Sequence, residues 1–184
     1  MKELSLNILD VAENSVKAGA SLTEILITEE NNKLTLQIKD DGCGMSSEVV
    51  KSVVDPFYTT RTTRKVGLGV PLLKLAAEQT GGSLEVESKT KQDFPSDHGT
   101  TVTAVFFKDH LDFTPLGDVI SSITTLIQGH PETDFYFSHK NESHSVELDT
   151  RQLREVLGDT PLNTYEVIKW TEEYLHEQYE GFNL

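Results

Sequence analysis

The sequence has little of what secretion, disulfide bonding or membrane insertion would require. Its 184 residues include one cysteine, so no internal disulfide can form. No apolar run approaches the roughly 18 residues of a membrane-spanning helix, and the start lacks the basic and then apolar regions of a signal peptide. We therefore expect a protein of the reducing cytoplasm that does not span a membrane.

Basic residues are also scarce. Sixteen Lys and Arg stand against thirty Asp and Glu, which gives a formal net charge of −14. This charge repels nucleic acid phosphates and anionic lipids, so direct binding to either is not expected. The clearest local exception is a cluster of three cations, Arg61, Arg64 and Lys65, which comes immediately before a glycine-rich turn.

Hydrophobic residues make up 36% of the chain, enough for one compact domain with a small appendage. Their periodicity predicts alternating helices and strands, with a possible boundary near residue 110. In residues 1–110 we predict helices over 4–18, 46–54 and 69–80, and strands over 23–29, 34–39, 83–88 and 100–107. In residues 111–184 we predict helices over 115–128, 150–157 and 162–179, and strands over 133–138 and 145–149.

Two glycine-containing strings have the residues of a ligand site. Asp40 to Gly44 follow a predicted strand, and Gly42 and Gly44 would let the backbone approach a ligand while Asp40 points into the pocket. An ordinary glycine turn is the alternative. Gly67 to Val70 open a predicted helix, whose free N–H groups favour an anion, although helix starts with two glycines are common.

Three polar residues share one face of the first predicted helix. Asp10, Asn14 and Lys17 are spaced at about one turn. An amide oxygen suits Mg²⁺, a lysine suits phosphate, and a carboxylate can act as a base. The alternative is a solvated helix face.

Taken together and in this order, the strings resemble the GHKL family of ATP-binding domains: DNA gyrase, the heat-shock chaperone, histidine kinases and MutL. The resemblance covers about residues 1–108. Its motifs are an N box at 9–20, a G1 box at 40–45, an F box at 55–60, a G2 box at 66–70, and the strings at 81–83 and 99–102.

The resemblance implies ATP and Mg²⁺ as ligands of this chain. Asn14 would chelate Mg²⁺, Asp40 would accept a hydrogen bond from the adenine amino group, and Thr100 would assist at adenine. Gly42 and Gly44 would let the chain pass close to the purine. Backbone N–H groups of Gly67, Leu68, Gly69 and Val70 would bind the phosphates, and residues 57–66 would form a lid carrying Arg61, Arg64 and Lys65.

The resemblance also implies an α+β fold of the Bergerat type. This is a two-layer α/β sandwich with helices on one face of a mixed sheet, here followed by a small C-terminal α+β extension, residues 111–184. Lys17 and the lid string look more like histidine kinases than like gyrase. Asp10 stands where gyrase and MutL have a glutamate base, and its shorter side chain predicts slow hydrolysis at most.

Three functions follow as alternatives. The first is a regulatory, histidine-kinase-like or anti-sigma-like kinase or nucleotide-gated switch acting on a protein partner. The second is an ATPase with Asp10 as base, and the third is an ATP sensor without turnover. We expect no attached phosphoacceptor hairpin, because none of the six histidines has that context; a homodimer is left open.

The remaining candidates are given structural interpretations. Cys43 is expected to be a small buried packing residue, and His139 and His144 to be surface residues that bind no zinc. The final helix carries a broad apolar face made of Tyr165, Ile168, Trp170, Tyr174, Leu175 and Tyr179. We expect this face to pack on its own domain, with a partner surface as the alternative.

Overall fold

The fold is built on six strands and six helices among the residues that the computed structural model describes, 3–55 and 68–182. In chain order these are α1 (Leu4–Lys17), β1 (Leu22–Glu30), β2 (Lys33–Asp40), α2 (Ser47–Val54), α3 (Gly69–Gln79), β3 (Ser83–Lys89), β4 (Gly99–Phe107), α4 (Val119–Gly129), β5 (Asp134–Lys140), β6 (Ser145–Asp149), α5 (Thr150–Leu157) and α6 (Tyr165–Tyr179).

The six strands form one mixed sheet in the order β3-β4-β2-β1-β5-β6. Every neighbouring pair is antiparallel except β1 and β5, which run parallel. β5 and β6 belong to the C-terminal extension. The extension therefore adds two strands to the sheet formed by the first four and shares its hydrophobic core.

The hairpin of β1 and β2 forms where the sequence predicts it. Asn31 and Asn32 both have positive φ, 48° and 65°. Such a two-residue turn matches the right-handed twist of the paired strands, and asparagine tolerates this backbone region better than most residues. The register that follows brings Asp40, the last residue of β2, opposite Thr100 of β4.

Helices α1, α3, α4 and α6 pack against one face of the sheet. That face carries alternate strand residues, such as Ile25, Ile38 and Phe137, all at most 1% exposed. The result is the predicted two-layer α+β architecture. No helix in the described part of the chain is both long enough and apolar enough to span a bilayer.

The fourth helix begins four residues later than predicted. Backbone N–H groups of Leu4 and Ser5 donate to the carbonyls of Pro115 and Leu116, at 2.9 and 2.8 Å, which holds this segment as a connection beside α1. Asp118 then caps α4 by accepting from the Ser121 N–H at 2.9 Å.

The prediction of a surface His139 is wrong. It is 0% exposed, and Phe135, Phe137 and His139 alternate along β5, which places all three in the core. The His139 Nε2–H donates to the Glu29 carboxylate at 2.7 Å, and Glu29 also pairs with Lys108. The hydrogen bond from His139, with help from Lys108, lowers the pKa of Glu29 although burial opposes this.

His144 is exposed, as expected. Within residues 3–55 and 68–182, no three His, Cys, Asp or Glu side chains lie close enough to hold a metal ion.

Candidate functional site

A cavity of about 220 Å³ lies beside α1, at the place where β2 ends and β4 begins. Its walls are mostly apolar, with Ile38, Val86 and Val102 supplied by three strands. Ligand cavities commonly combine such walls with a few polar groups that fix orientation. Here the polar lining includes Asn14, Lys17, Asp40 and Thr100.

Asp40 is held in place by its own loop. Its Oδ1 accepts from the Gly42 N–H at 2.9 Å, and the described residues offer no hydrogen bond to Oδ2. A carboxylate oxygen accepts but does not donate, so Asp40 presents an acceptor to the cavity. Gly42 itself is buried behind Asp40, and a Cβ there would lie 2.9 Å from the Ala18 Cβ.

Gly44 allows the loop to close against the next strand. Its φ is 71°, and a Cβ at this position would lie 1.9 Å from the Lys89 carbonyl oxygen. No side chain fits that space, so the glycine is required by the close approach of the backbone. Gly44 lines the cavity, as the sequence predicts.

Thr100 belongs to a small network that the sequence analysis missed. Its Oγ1 lies 2.8 Å from the Ser88 Oγ. Ser88 also accepts from the Met45 N–H at 2.7 Å and donates to the Gly99 carbonyl at 3.1 Å. Because Ser88 has one proton to donate, its bond to Gly99 makes Thr100 the donor in the shared bond. The predicted strands over 83–88 and 100–107 could have indicated this contact, because pairing them as a hairpin places Ser88 opposite Thr100.

His98 is a second missed residue. Its Nδ1 lies 2.6 Å from the Gly42 carbonyl oxygen, so this nitrogen carries the proton and donates. The bond ties the connection between β3 and β4 to the Asp40 loop. No sequence pattern indicates it, because the two residues are 56 positions apart.

The three polar residues of α1 do not all reach the cavity. Asn14 and Lys17 line it, and the Asn14 amide makes no hydrogen bond within the described chain. Asp10 is exposed and is not part of the lining. It lies instead next to the start of α3, where a Cβ on Gly69 would be 3.0 Å from the Asp10 Cβ.

At the start of α3, some backbone donors have no partner among the described residues. Leu68 precedes the helix without a side-chain cap, and the N–H of Leu72 donates to the Leu68 carbonyl at 3.0 Å. The N–H groups of Gly69 and Val70 come before that bond and have no partner inside the helix. Val70 lines the cavity, whereas Leu68 and Gly69 do not.

The remaining predicted site residues, Arg61, Arg64, Lys65 and Gly67, lie outside the described residues, as do the whole proposed lid and all of the F box after residue 55.

The prediction that Cys43 is a buried packing residue is wrong. It is exposed, not buried, and it lines the cavity. Gly42 lies against Ala18 and Asp40, and Gly44 lies against the backbone of Lys89. The Cys43 side chain between them is therefore directed outward.

Asp41, next to Asp40, has a structural role. Its carboxylate accepts from the Ser21 N–H at 2.8 Å and from the Leu22 N–H at 3.0 Å, which fixes the start of β1. Burial by itself would raise the pKa of Asp41, but these hydrogen bonds and that of the Ser21 hydroxyl outweigh it and lower the pKa. Adjacent aspartates thus face different partners.

The site offers a divalent cation few protein ligands. Of the described side chains lining the cavity, Asn14 and Asp40 offer amide and carboxylate oxygens, and Ser15 and Thr100 offer hydroxyl oxygens. The Asn14 amide makes no hydrogen bond within the described chain. Mg²⁺ is commonly bound through one or two protein oxygens together with phosphates and water. The donor set therefore fits Mg²⁺ that enters with a phosphate-bearing ligand.

Comparison with known proteins identifies relatives of the first part of the chain. A family model described as "Histidine kinase-, DNA gyrase B-, and HSP90-like ATPase" matches residues 2–110. The sensor protein SrrB of Staphylococcus aureus is 35% identical over 96 residues, which cover 48% of this chain. The chain spans 14–16% of the length of the first curated relatives it matches.

Solved structures share the fold. The ATPase domain of Aquifex aeolicus MutL complexed with ADP superimposes with a TM-score of 0.54 at 17% identity. The alignment covers 85% of this chain and 69% of that one.

Proposed function

Because the chain belongs to the family of histidine kinase-, DNA gyrase B- and HSP90-like ATPases, we propose that it binds Mg-ATP in the cavity beside α1 and regulates a protein partner. The observation that carries this proposal is the convergence of Asn14, Asp40 and Thr100, from three separate elements, on one cavity. ATP and ADP forms would differ in what they bind, as in a nucleotide-gated switch or a histidine-kinase-like kinase.

Each residue has a proposed task. The Asp40 carboxylate accepts a hydrogen bond from the adenine amino group. Thr100, which is held by Ser88, contacts the same edge of the base. The free N–H groups of Gly69 and Val70, with those of Gly67 and Leu68, receive phosphate oxygens. Lys17, Arg61, Arg64 and Lys65 supply positive charge near the phosphates.

Asn14 would hold Mg²⁺ jointly with the phosphates. When bound, the ion neutralises phosphate charge and orients the phosphate chain. Asn14 would contribute its amide oxygen to the ion, because this amide makes no hydrogen bond within the described structure.

An ATPase with Asp10 as general base is the second candidate. The position of Asp10 beside Gly69, at the start of the proposed phosphate-binding helix, favours it. A base must come within hydrogen-bond reach of the attacking water, directly or through one more water. The third candidate, an ATP sensor without turnover, needs only the binding residues.

The fate of the γ-phosphate separates these functions. With γ-labelled ATP, a kinase transfers label to protein, an ATPase releases it to solution, and a sensor does neither. Asp10→Asn should abolish release while leaving ATP affinity within about twofold. Label that stays on ATP with the purified protein, both alone and with the partner it captures, would contradict both catalytic candidates.

A pull-down tests the proposed partner. We place the protein in the cytoplasm and expect a partner that binds the ATP form and the ADP form unequally; a second copy of the chain is included among the candidates. Equal recovery of every bound protein with ATP and with ADP would contradict a nucleotide-gated switch.

Exchanging the two adjacent aspartates for asparagine should give opposite results. Asp40→Asn keeps an oxygen for the Gly42 N–H but loses the charged acceptor for adenine. Hydrogen bonds to charged groups contribute about 1.5–3 kcal/mol, so ATP affinity should fall about 10- to 100-fold with little change in stability.

Asp41→Asn is the matched control. It removes the charged partner of Ser21 and Leu22, so the free energy of unfolding should fall by about 1–2 kcal/mol while ATP affinity stays within about twofold. Calorimetry and urea unfolding measure the two quantities. Equal effects of both variants on affinity would refute the separate roles.

Cys43 provides a probe of the occupied cavity. It is the single cysteine of the chain, so N-ethylmaleimide labels one known position. At Mg-ATP about ten times its dissociation constant, the labelling rate should fall about tenfold because the free fraction falls by that factor. At the same Mg-ATP concentration Asn14→Ala should be labelled at nearly the same rate as without it. Protection that persists in this variant would mean that Asn14 is not needed for binding, and absence of protection in the wild type would place ATP elsewhere.

A further inference from the structure

A second cleft, of about 300 Å³, lies in the C-terminal extension, beyond the residues that the family model matches. We call it the α6 cleft. It lies between β6, α5 and α6, and its apolar lining comprises Tyr136, Leu148, Leu153, Val156, Trp170 and Tyr174.

Two apolar side chains of the α6 cleft have large exposed fractions. Val156 is 86% and Trp170 48% exposed. The Trp170 and Tyr174 rings are stacked, with centroids 4.9 Å apart and planes at 12°. The expectation that the apolar face of the final helix packs on its own domain therefore holds for Leu175 but is wrong for Trp170. Exposed aromatic surface of this kind is typical of interfaces.

The free edge of β6 is partly covered, which disfavours strand addition by a partner. β6 is an edge strand, but the Gln178 side chain occupies part of its free backbone. Its Nε2 donates to the Glu147 carbonyl at 2.9 Å, and its Oε1 accepts from the Glu147 N–H at 3.0 Å. This protects the edge against pairing with another chain, so recognition would depend on side chains.

The extension that contains the cleft has a strong excess of negative charge. Residues 111–184 contain fourteen acidic and four basic residues, a formal charge of −10, against sixteen and twelve, or −4, in residues 1–110. Most of the net charge of the protein therefore belongs to the extension.

The carboxylates nearest Trp170 on α6 are unpaired. Glu166 lies four residues before Trp170, and Glu173 and Glu177 lie three and seven residues after it, so all three are on the same side of the helix. All three are exposed, and none has a basic partner in the described part of the chain. By contrast, Glu147 pairs with Lys140 at 3.1 Å and Asp149 with Arg151 at 2.9 Å.

We propose that the α6 cleft binds a basic, amphipathic segment of a protein partner. Arginine suits this surface best, because its guanidinium can stack on the Trp170 and Tyr174 rings while it pairs with a carboxylate. Apolar side chains of the same segment would occupy the space beside Val156 and Leu153. A second copy of this chain fits poorly, because it carries the same charge of −14.

The test uses a fluorescein-labelled synthetic helix of Arg, Leu and Ala, with a counterpart in which Glu replaces Arg. The anisotropy of the Arg peptide should rise on addition of the full chain, the affinity should fall as salt increases, and the Glu peptide should not bind. Trp170→Ala should weaken binding at least about tenfold, as for a central aromatic contact. Circular dichroism would check that this half-exposed substitution leaves the fold intact.

A matched pair of charge reversals separates the cleft from bulk charge. Glu173→Lys with Glu177→Lys should weaken peptide binding at least about tenfold, whereas Glu85→Lys with Glu87→Lys, exposed on β3 at the opposite edge of the sheet, should change it less than about twofold. Equal weakening by both pairs, or binding of both peptides alike, would overturn the proposal. So would self-association in sedimentation that Trp170→Ala abolishes, because the occupant would then be a second copy.

Discussion

Asn14→Ala should lower the affinity for Mg-ATP by at least about 100-fold. Substitutions that only support a metal ligand typically cost 10- to 100-fold in metal affinity, so loss of the ligand itself should cost no less. The effect should be specific to the metal complex: the residual affinity for ATP in excess EDTA should be the same in the variant and the wild type.

The structure makes this variant informative. Asn14 is half-buried on α1, and its amide has no hydrogen bond in the described chain, so its removal should leave the free energy of unfolding within about 0.5 kcal/mol. Asn163→Ala, on the exposed connection before α6, is a suitable control that should bind like the wild type. Titration calorimetry with and without Mg²⁺ gives all the values. Wild-type affinity in Asn14→Ala would remove Asn14 from the metal site.

Glu29→Gln should give the largest loss of stability among charge-neutralising substitutions in the sheet. Glu29 is 7% exposed and pairs with both His139 and Lys108. Removing one member of a buried ionic pair costs roughly 3–5 kcal/mol, because the remaining groups lose their partner. Urea unfolding at pH 6 should therefore show a decrease of about 3 kcal/mol.

The pH dependence of stability carries the same information. The pKa of Glu29 is lowered in the folded protein, so its contribution is present above the unfolded pKa, near 4.5, and is lost as pH falls through the lower folded value. The difference between the wild type and Glu29→Gln should shrink over that acidic range.

Glu30→Gln is the matched control for this prediction. Glu30 is the next residue on β1, and its side chain is exposed. Its substitution should change stability by less than about 0.5 kcal/mol at every pH. Similar losses in the two variants would mean that the buried pair has no special contribution.

The sequence was sufficient to predict the framework of the site. Local periodicity gave the β1 and β2 hairpin, and the two asparagines have the positive φ that its turn requires. Once those strands form, Asp40 must stand at a strand end, and the pairing of β2 with β4 brings Thr100 beside it. Both residues were predicted and both line the cavity.

Other details of the site depend on packing between segments distant in sequence. Helical spacing places Asp10 on the same face as Asn14, and the approach of α3 to α1 brings Asp10 beside Gly69. Likewise, His98 reaches the Gly42 carbonyl from 56 residues away.

The parallel pairing of β5 with β1 explains the wrong prediction for His139. It carries His139 into the core, opposite Ile27, and so within reach of Glu29. Local patterns do not specify which strand an extension will join, and a histidine that is buried by such pairing looks like any other polar residue in a short strand.

The central claim is that the cavity beside α1 binds adenine and a metal-bound phosphate chain, and titration calorimetry of the wild-type protein with ATP and GTP tests it most directly. The account predicts that ATP binds at one site per chain, that removal of Mg²⁺ weakens this binding, and that GTP binds at least about tenfold more weakly because Asp40 offers only an acceptor. Absence of ATP binding, or equal affinity for the two nucleotides, would contradict it.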